Sequence, residues 1–337
     1  MDINHPRRVQ QTAQSCLSAA SYNPRRLVLI HAGAALAFSF VLTAINFIVD
    51  RQLDATGGLS GIGLRSFLST IQTVLQYVGN ILMPFWQIGF VAAALAYARK
   101  QPVNFRTLLK GFQRFPSVIG LLATQLLIVI ILGFACVYLA TSVYMLTPMS
   151  QPLYDVLTPV MQDASILSGP ELYLDDATLN VMSDSMVPLL VITMVVYALV
   201  MIPIFFRFRL AELILMDNER CGGLRALLTS FKLMRRNCIR LFKLDLRFWL
   251  FYVLQVLSLL LGYGDVILPL FGVSIPMEAE IAFFVFYLLN LVTQLALYVW
   301  IKPLMQTSYA VFYDNLLPGT NPPQQQPAPK NLPWDYS

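Results

Sequence analysis

Six long stretches of the chain contain no charged residue: 27–49, 66–98, 115–154, 185–206, 248–264 and 281–301. A bilayer core is ~30 Å thick, and ~20 apolar residues of helix cross it. A charge at the centre of a spanning helix costs ~2.5–3.5 kcal/mol, so long charge-free stretches indicate spans. The pattern predicts an all-α membrane protein with six transmembrane helices, at about residues 27–49, 78–98, 118–146, 187–208, 244–262 and 281–303.

Three parts follow from this pattern. Residues 1–26 are predicted to be an arm with an amphipathic helix, residues 27–317 the membrane domain, and residues 318–337 a Pro/Gln-rich disordered tail. The first apolar stretch has 23 residues, longer than the core of a signal peptide, so we expect it to stay as an anchor.

Two of the stretches do not have the length of a helix that crosses the bilayer once, perpendicular to its plane. The stretch 66–98 corresponds to about 50 Å of helix. We expect either that its outer third lies in the interface or that the helix breaks near Gly79 or Pro84. The fifth stretch is short, and the run Gly262-Tyr263-Gly264-Asp265 is predicted to break its helix.

The polar connections between these stretches differ in the sign of their charge. Residues 99–114 carry five bases and no acid, residues 207–247 carry ten bases, and residues 147–186 carry six acids and no base. We call the side of residues 1–26, 99–114 and 207–247 the basic side. The positive-inside rule then predicts that both termini are cytoplasmic, and we expect the protein in the plasma membrane.

Composition narrows the class of protein. The chain is 57% apolar and 12% charged, whereas soluble domains carry roughly 25% charged residues. Because the net charge of +5 follows the topology, it gives no reason to expect a nucleic-acid partner. Four cysteines without a CxxC pair and two histidines predict neither a zinc site nor a disulfide framework, and we expect no cofactor.

Two connections on the basic side resemble each other. Residues 105–112 align with residues 224–231, and four of the eight positions are identical. Asn23, Arg26 and Leu27 similarly match Asn237, Arg240 and Leu241. We interpret the chain as three tandem helical hairpins in parallel orientation, each preceded by a basic amphipathic interfacial helix.

The clearest of these helices is predicted at residues 223–243, where apolar residues recur at intervals of three and four. Its bases are candidate contacts for anionic lipid headgroups or a membrane-protein partner: Arg225, Lys232, Arg235, Arg236, Arg240 and Lys243. The plainer alternative is that these charges only hold the topology.

Polar residues also lie within the predicted spans. The candidate intramembrane polar cluster consists of Asn80, Gln87, Gln125, Asn290 and Gln294. Polar residues in lipid generally face the interior of the bundle. They either form interhelical hydrogen bonds or line a polar cavity for a small solute.

Several residues carry a family resemblance. They are Pro203, Ser230, Leu233-Met234, Asn237, Leu241-Phe242, Phe248-Trp249, Pro303, Ser308, Phe312-Tyr313 and Leu316. With them the chain, from about residue 23 to 316, resembles a bacterial membrane family known as domain-of-unknown-function family 975. The chain departs from the family pattern at Ile204 and at Arg235-Arg236, where glycines are usual. The resemblance implies a six-span helical membrane protein, and it offers no catalytic or binding residues to carry over to this chain.

No sequence motif in the chain predicts an enzyme. Residues 262–265 match the GxGD pattern of intramembrane aspartyl proteases, but that chemistry needs a second carboxylate at membrane depth, and none is predicted there. We therefore expect a non-enzymatic membrane scaffold or accessory subunit. The alternative is a small-solute or lipid transporter with a polar cavity between spans two, three and six.

Overall fold

The computed structural model describes residues 5–55, 59–151, 176–270 and 279–317. Within these ranges the chain forms α-helices and short 3-10 helices, and no β-strand. Most of the acidic segment 147–186 and the tail predicted at 318–337 lie outside the described residues.

The helices, numbered in chain order, differ greatly in length. The first five are α1 (Pro6–Ser18), α2 (Pro24–Ala55), α3 (Leu59–Ala98), α4 (Lys110–Gln113) and α5 (Phe115–Met145). The others are α6 (Asp176–Phe208), α7 (Ala211–Asp217), α8 (Gly223–Met234), α9 (Cys238–Asp245), α10 (Trp249–Gly262), α11 (Gly264–Leu270) and α12 (Ala279–Leu316). Short 3-10 helices cover Phe105–Leu109, Pro148–Ser150 and Leu246–Phe248.

Six helical segments are long and apolar enough to cross a membrane. They are Pro24–Ile45, Ser69–Ala98, Phe115–Met145, Met186–Asp217, Cys238–Gly262 and Ile281–Leu316. The predicted all-α class and the predicted number of helices able to span are therefore confirmed.

The chain divides into two compact units. One consists of the residues up to Gly120 together with those from Arg209 onward, and the other is Leu121–Phe208. In the first unit α12 is the central helix, because α1, α2, α3 and α10 all pack against it. In the second unit, which holds most of α5 and all of α6, many large apolar side chains are exposed, among them Phe134, Tyr138 and Leu199.

In the N-terminal arm, residues Pro6–Ser18 form α1, and its buried side faces other helices. Val9, Ala13 and Cys16 are buried at intervals of three and four residues. The helix packs against α12 and α3. Protein therefore covers this apolar face.

The long stretch 66–98 forms one helix without interruption. Helix α3 continues through Gly79 and Pro84, so the break expected at these residues does not occur. Its outer part, with Phe67 and Tyr77, is exposed, whereas residues 88–98 are almost all buried. The 3-10 helix Phe105–Leu109, α4 and α7 pack against α3 and bury its inner part. One charge-free stretch thus contains an exposed half and a protein-covered half.

Two glycines allow the close approach of α3 to the connection that follows it. A Cβ atom on Gly89 would lie 1.8 Å from the carbonyl oxygen of Leu108, and one on Gly111 would lie 2.0 Å from that of Phe85. Both obstacles are backbone atoms, which cannot rotate away. The backbones of α3 and this connection therefore pack directly against each other.

The basic segment 223–243 is predicted to form one helix, but the structure shows two. It forms α8 and α9, separated by a turn at residues 235–237. The side-chain amide of Asn237 donates to the carbonyl oxygen of Leu233 (2.7 Å), and the backbone N–H of Asn237 bonds to Met234. These bonds replace the interrupted helical ladder and account for the break.

The two aligned connections share a burial pattern. Residues 107, 108 and 111 are buried, as are their counterparts 226, 227 and 230. Residues 105, 106 and 109 are exposed, as are 224, 225 and 228. The matched leucines Leu27 and Leu241 are both fully buried, at the first turns of α2 and α9.

The Gly262-Tyr263-Gly264 run ends α10 as predicted, and α11 begins at Gly264. A Cβ atom on Gly262 would lie 2.8 Å from the amide nitrogen of Asn290, and one on Gly264 would lie 2.6 Å from the Phe286 ring. Close packing against α12 thus accounts for both glycines.

Candidate functional site

Arg99 joins three helices of the first unit. It follows α3, which ends where Lys100 takes the left-handed conformation (φ 55°) and the N–H of Gln101 bonds back to Ala96 (2.8 Å). The guanidinium donates to Asp314 through Nη2 (2.7 Å) and Nε (3.2 Å), and to Asp217 through Nη1. One planar side chain therefore links α3 to α7 and α12.

This cluster is well shielded from water. The Asp217 side chain is only 6% exposed, and its second oxygen accepts from the hydroxyl of Tyr313 (2.9 Å). Burial alone lowers the pKa of Arg99, but the hydrogen bonds to Asp217 and Asp314 outweigh it and raise that pKa above its ordinary value. Arg99 is accordingly a permanent cation. We call Arg99, Asp217, Tyr313 and Asp314 the Arg99 cluster.

A second cluster lies one turn earlier on α12. Arg209 donates to the hydroxyl of Tyr309 (2.7 Å), and this hydroxyl in turn donates to Asp245. The guanidinium also stacks over the Tyr309 ring, 4.5 Å from its centroid. Arg209 thus contacts both the hydroxyl group and the ring of Tyr309. We call Arg209, Asp245 and Tyr309 the Arg209 cluster.

Arg114 holds the end of α7. Its guanidinium donates to the carbonyl oxygens of Leu215, Asn218 (2.9 Å) and Glu219. The last carbonyls of a helix lack intrahelical partners, and a cation there satisfies them and opposes the helix dipole. Arg114 therefore fixes the helix that carries Asp217.

The predicted intramembrane polar residues fall into separate groups. Gln87 accepts from the amine of Lys302 (3.3 Å), which lies 4.4 Å from the Tyr298 ring centroid. Asn290 accepts from Ser258 (2.8 Å) and from Gln294 (3.1 Å).

The other two predicted members of the intramembrane polar cluster lie on different helices. Asn80 is exposed on α3. Gln125 is half-buried on α5, in the unit Leu121–Phe208.

Hydrogen bonds between helices extend along α12. Ser39 and Thr43 of α2 both bond to the hydroxyl of Tyr287 (3.1 and 3.0 Å), and Gln255 of α10 donates to Tyr298 (3.3 Å). Polar groups in a bundle commonly join helices in this way, at ~0.6 kcal/mol each. Polar contacts therefore tie α2, α3 and α10 to the same central helix.

His31 is the buried histidine of the first unit. Its ring stacks between Trp86 and Phe90, with centroids 5.9 and 5.0 Å away. Trp86 donates to the His31 carbonyl oxygen (3.0 Å), while the buried Nδ1 of the ring has no hydrogen-bond partner in the described part of the chain.

The predicted headgroup contacts are all on the surface. Each of the six side chains is exposed: Arg225, Lys232, Arg235, Arg236, Arg240 and Lys243. Exposed apolar residues accompany them on α8 and α9, namely Leu224, Leu228, Ile239 and Phe242. The two helices therefore present both bases and apolar side chains outward.

The cysteines have no partner cysteine, and burial makes two of them poor nucleophiles. All four are free. Burial raises the pKa of the Cys16 and Cys221 thiols, which nearby Lys100 and Arg114, respectively, only partly oppose. Among the described residues no group of three His, Cys, Asp or Glu side chains is placed to hold a metal ion.

Sequence reasoning missed both ionic clusters. A signal was available, because acids are scarce on the basic side outside the N-terminal arm and the tail. They are Glu212, Asp217, Glu219, Asp245 and Asp314. Three of these five accept hydrogen bonds from the two clusters.

The comparisons with known proteins identify a family and no activity. Neither a curated protein nor a solved structure matches the chain. A family described as "Protein of unknown function (DUF975)" matches residues 7–318. This match extends from α1 to the end of α12 and includes both ionic clusters, so the chain belongs to the DUF975 family.

Proposed function

We propose that this protein is a non-enzymatic membrane scaffold or accessory subunit. One observation carries the proposal: polar side chains in the helices around α12 bond to one another across helix boundaries. Asn290 with Ser258, and Tyr287 with Ser39 and Thr43, act as interhelical contacts. Polar groups engaged in this way hold a bundle in shape and are not available to a solute.

The exposed apolar surface of the unit Leu121–Phe208 is the proposed partner-binding face. To test this, the tagged chain is purified in mild detergent, and co-purifying proteins are identified by mass spectrometry. We expect a stoichiometric membrane partner that is lost when the exposed residues Phe134 and Tyr138 are both changed to Ser. The matched control changes two exposed residues of the first unit, Leu257 and Leu260, to Ser. A chain that purifies alone, in several detergents and in native nanodiscs, contradicts the scaffold role.

The alternative is a small-solute or lipid transporter with a polar cavity between spans two, three and six. The amine of Lys302 and the buried Nδ1 of His31, which has no hydrogen-bond partner among the described residues, favour it. Ionisable groups at membrane depth often mark transport pathways. Single cysteines at Gln87, Asn290 and Gln294, in a chain without native cysteines, decide between the two. Labelling of all three by a water-soluble thiol reagent supports transport; protection of all three supports the scaffold. Cysteines at exposed Arg106 and at apolar Val292 serve as positive and negative controls.

The proposed location is the bacterial plasma membrane, with both termini in the cytoplasm. The sign difference between residues 99–114 and 147–186 supports this orientation. Reporter fusions at Gly111 and Gln162 test it. They must emerge on opposite sides of the membrane, Gly111 in the cytoplasm; a common side contradicts the topology.

The finer architecture is also a proposal: three tandem hairpins, each preceded by a basic amphipathic helix at the interface. The shared burial pattern of residues 105–112 and 224–231 supports the repeat. The six exposed bases of α8, α9 and the turn between them are proposed to contact anionic headgroups, each contributing ~1 kcal/mol. The proposed partners are therefore the bilayer and a membrane protein, and no nucleic acid.

A further inference from the structure

Arg25 and Trp300 form an exposed pair where α2 meets α12. The guanidinium carbon of Arg25 lies 5.4 Å from the centroid of the Trp300 ring. Trp300 is 71% exposed, although it is a large aromatic side chain on the central helix. Arg25 is exposed as well. The pair therefore stands on the outer surface of the first unit.

The two residues also lie at one end of the apolar stretches of their helices. Arg25 is two residues before the stretch 27–49, and Trp300 is one residue before the end of the stretch 281–301. Helices α2 and α12 are antiparallel, because Arg25 near the start of α2 contacts Trp300, whereas Ser39 further along α2 bonds to Tyr287, which comes earlier on α12. Trp is enriched at the level of lipid headgroups. The pair is thus placed where a span emerges from the hydrocarbon on the basic side.

The guanidinium of Arg25 has no acidic partner among the described residues. The backbone N–H of Arg25 bonds to Asn23 (2.9 Å), and the ring of Trp300 covers one face of the guanidinium. Stacking leaves the N–H groups at the edge of the guanidinium free to form a bidentate contact with an oxyanion. The neighbouring Arg26 is exposed too but does not stack on this ring.

Further into the apolar stretches from the pair, both helices expose apolar side chains. Leu29 lies one turn further along α2, and Leu289 lies three turns back along α12, on the sides that carry Arg25 and Trp300. Both are exposed. An acyl chain that follows them would start at the guanidinium.

We propose that Arg25 and Trp300 form a binding site for a phospholipid of the leaflet on the basic side, with the lipid phosphate on the Arg25 guanidinium. An acid from a partner protein fits less well, because the site continues into an exposed apolar surface. The proposal does not depend on the scaffold role.

The test titrates the delipidated full chain in detergent with dioleoyl phosphatidylglycerol and measures bound lipid by native mass spectrometry. We expect Arg25→Gln to weaken binding about fivefold, as loss of one cation–headgroup contact implies, while Arg26→Gln retains it. Trp300→Leu, which keeps an exposed apolar side chain, should also weaken binding. Equal losses in Arg25→Gln and Arg26→Gln overturn the site in favour of diffuse surface charge.

Two further arms identify the ligand. Dioleoylglycerol lacks the phosphate and should bind weakly and equally to wild type and Arg25→Gln. Inorganic phosphate should not displace the lipid. If dioleoylglycerol binds as tightly as the phospholipid, or if inorganic phosphate displaces it, the proposed site is wrong. The thermal midpoint of each variant without lipid confirms that the exposed substitutions leave the fold intact.

Discussion

At the scale of single residues, each ionic cluster joins charged side chains that lie far apart in the sequence. The apolar pattern identifies where a helix crosses, but it does not indicate which charge will be buried beside which. Arg99 and Asp217 are 118 positions apart, and Arg99 and Asp314 are 215 apart. Only the packing of three helices brings them together. By contrast, the surface position of the six bases of segment 223–243 follows directly from their spacing.

The geometry of Arg99 predicts that a lysine cannot replace it. Lysine keeps the charge but lacks the planar fork that reaches both Asp217 and Asp314. We expect Arg99→Lys to lower the free energy of unfolding by ~1–3 kcal/mol, because a buried carboxylate loses a hydrogen bond. Thermal unfolding in detergent measures the effect. The exposed Arg106→Lys should be neutral, and similar loss in both variants contradicts the cluster's role.

Tyr313 provides a second test of the same cluster. Tyr313→Phe keeps the ring but removes the donor to Asp217, so it should destabilise the protein by ~1–3 kcal/mol. Tyr138 is 77% exposed, and Tyr138→Phe is the matched control that should change little. Equal thermal midpoints for the two variants argue against the hydrogen bond.

The raised pKa of Cys16 predicts slow and pH-shifted thiol chemistry. In a chain with Cys16 as the one cysteine, labelling by a soluble maleimide should be slower than at Ser15→Cys, an exposed neighbour. Because thiolate is the reactive form and a raised pKa delays its formation, the Cys16 rate should still rise with pH where the Ser15→Cys rate has levelled off. Matching pH profiles would contradict the burial of this thiol.

At the scale of elements, the sequence predicts which segments are helical better than it predicts what covers them. Hydropathy treats an apolar side chain that faces lipid and one that faces protein alike. The stretch 66–98 illustrates this, because its exposed part and its buried inner part differ in neighbours and not in composition. The length of the stretch allows two alternatives, an interfacial outer third or a break near Gly79 or Pro84. Helix α3 has no break there, and protein packs against residues 88–98.

The backbone contact between α3 and the following connection predicts a strong glycine requirement. Gly89→Ala places a methyl group 1.8 Å from the Leu108 carbonyl oxygen, so the two segments must separate. We expect a loss of ~1–3 kcal/mol, typical of overpacking. Gly33 has open space around it, and Gly33→Ala should be neutral or stabilising. Thermal unfolding distinguishes the two; equal stability contradicts the contact.

At the scale of the whole molecule, α12 is the central helix of the first unit. Two contacts join it to α3 and its end, Gln87–Lys302 and Arg99–Asp314. Both have the same sequence separation of 215 positions, so the two helices stay in one register between them. The twelve residues between these contacts correspond to about 18 Å of parallel helix. The sequence predicts six helices and their orientation from charge, but the central position of α12 depends on side-chain pairing that hydropathy does not encode.

This arrangement predicts that a divided chain can reassemble. Fragments 1–151 and 176–337, expressed together, should co-purify, because α12 packs against α1, α2 and α3 across the cut. Changing both Arg99 and Arg114 to Gln should reduce recovery of the pair, whereas changing the exposed Arg106 and Lys110 to Gln should not. Fragments that never co-purify, although both insert in the membrane, contradict the central role of α12.

The position of Tyr309, Tyr313 and Asp314 near the end of α12 has a consequence for biogenesis. A ribosome makes Arg99 and Arg209 long before it makes these three partners. Until then, Arg209 lacks its contact with Tyr309, Arg99 lacks its bond to Asp314, and Asp217 lacks the hydrogen bond from Tyr313. Completion of the last helix is therefore the step that locks the first unit, and nascent chains that stall earlier should be preferred substrates of membrane quality-control proteases.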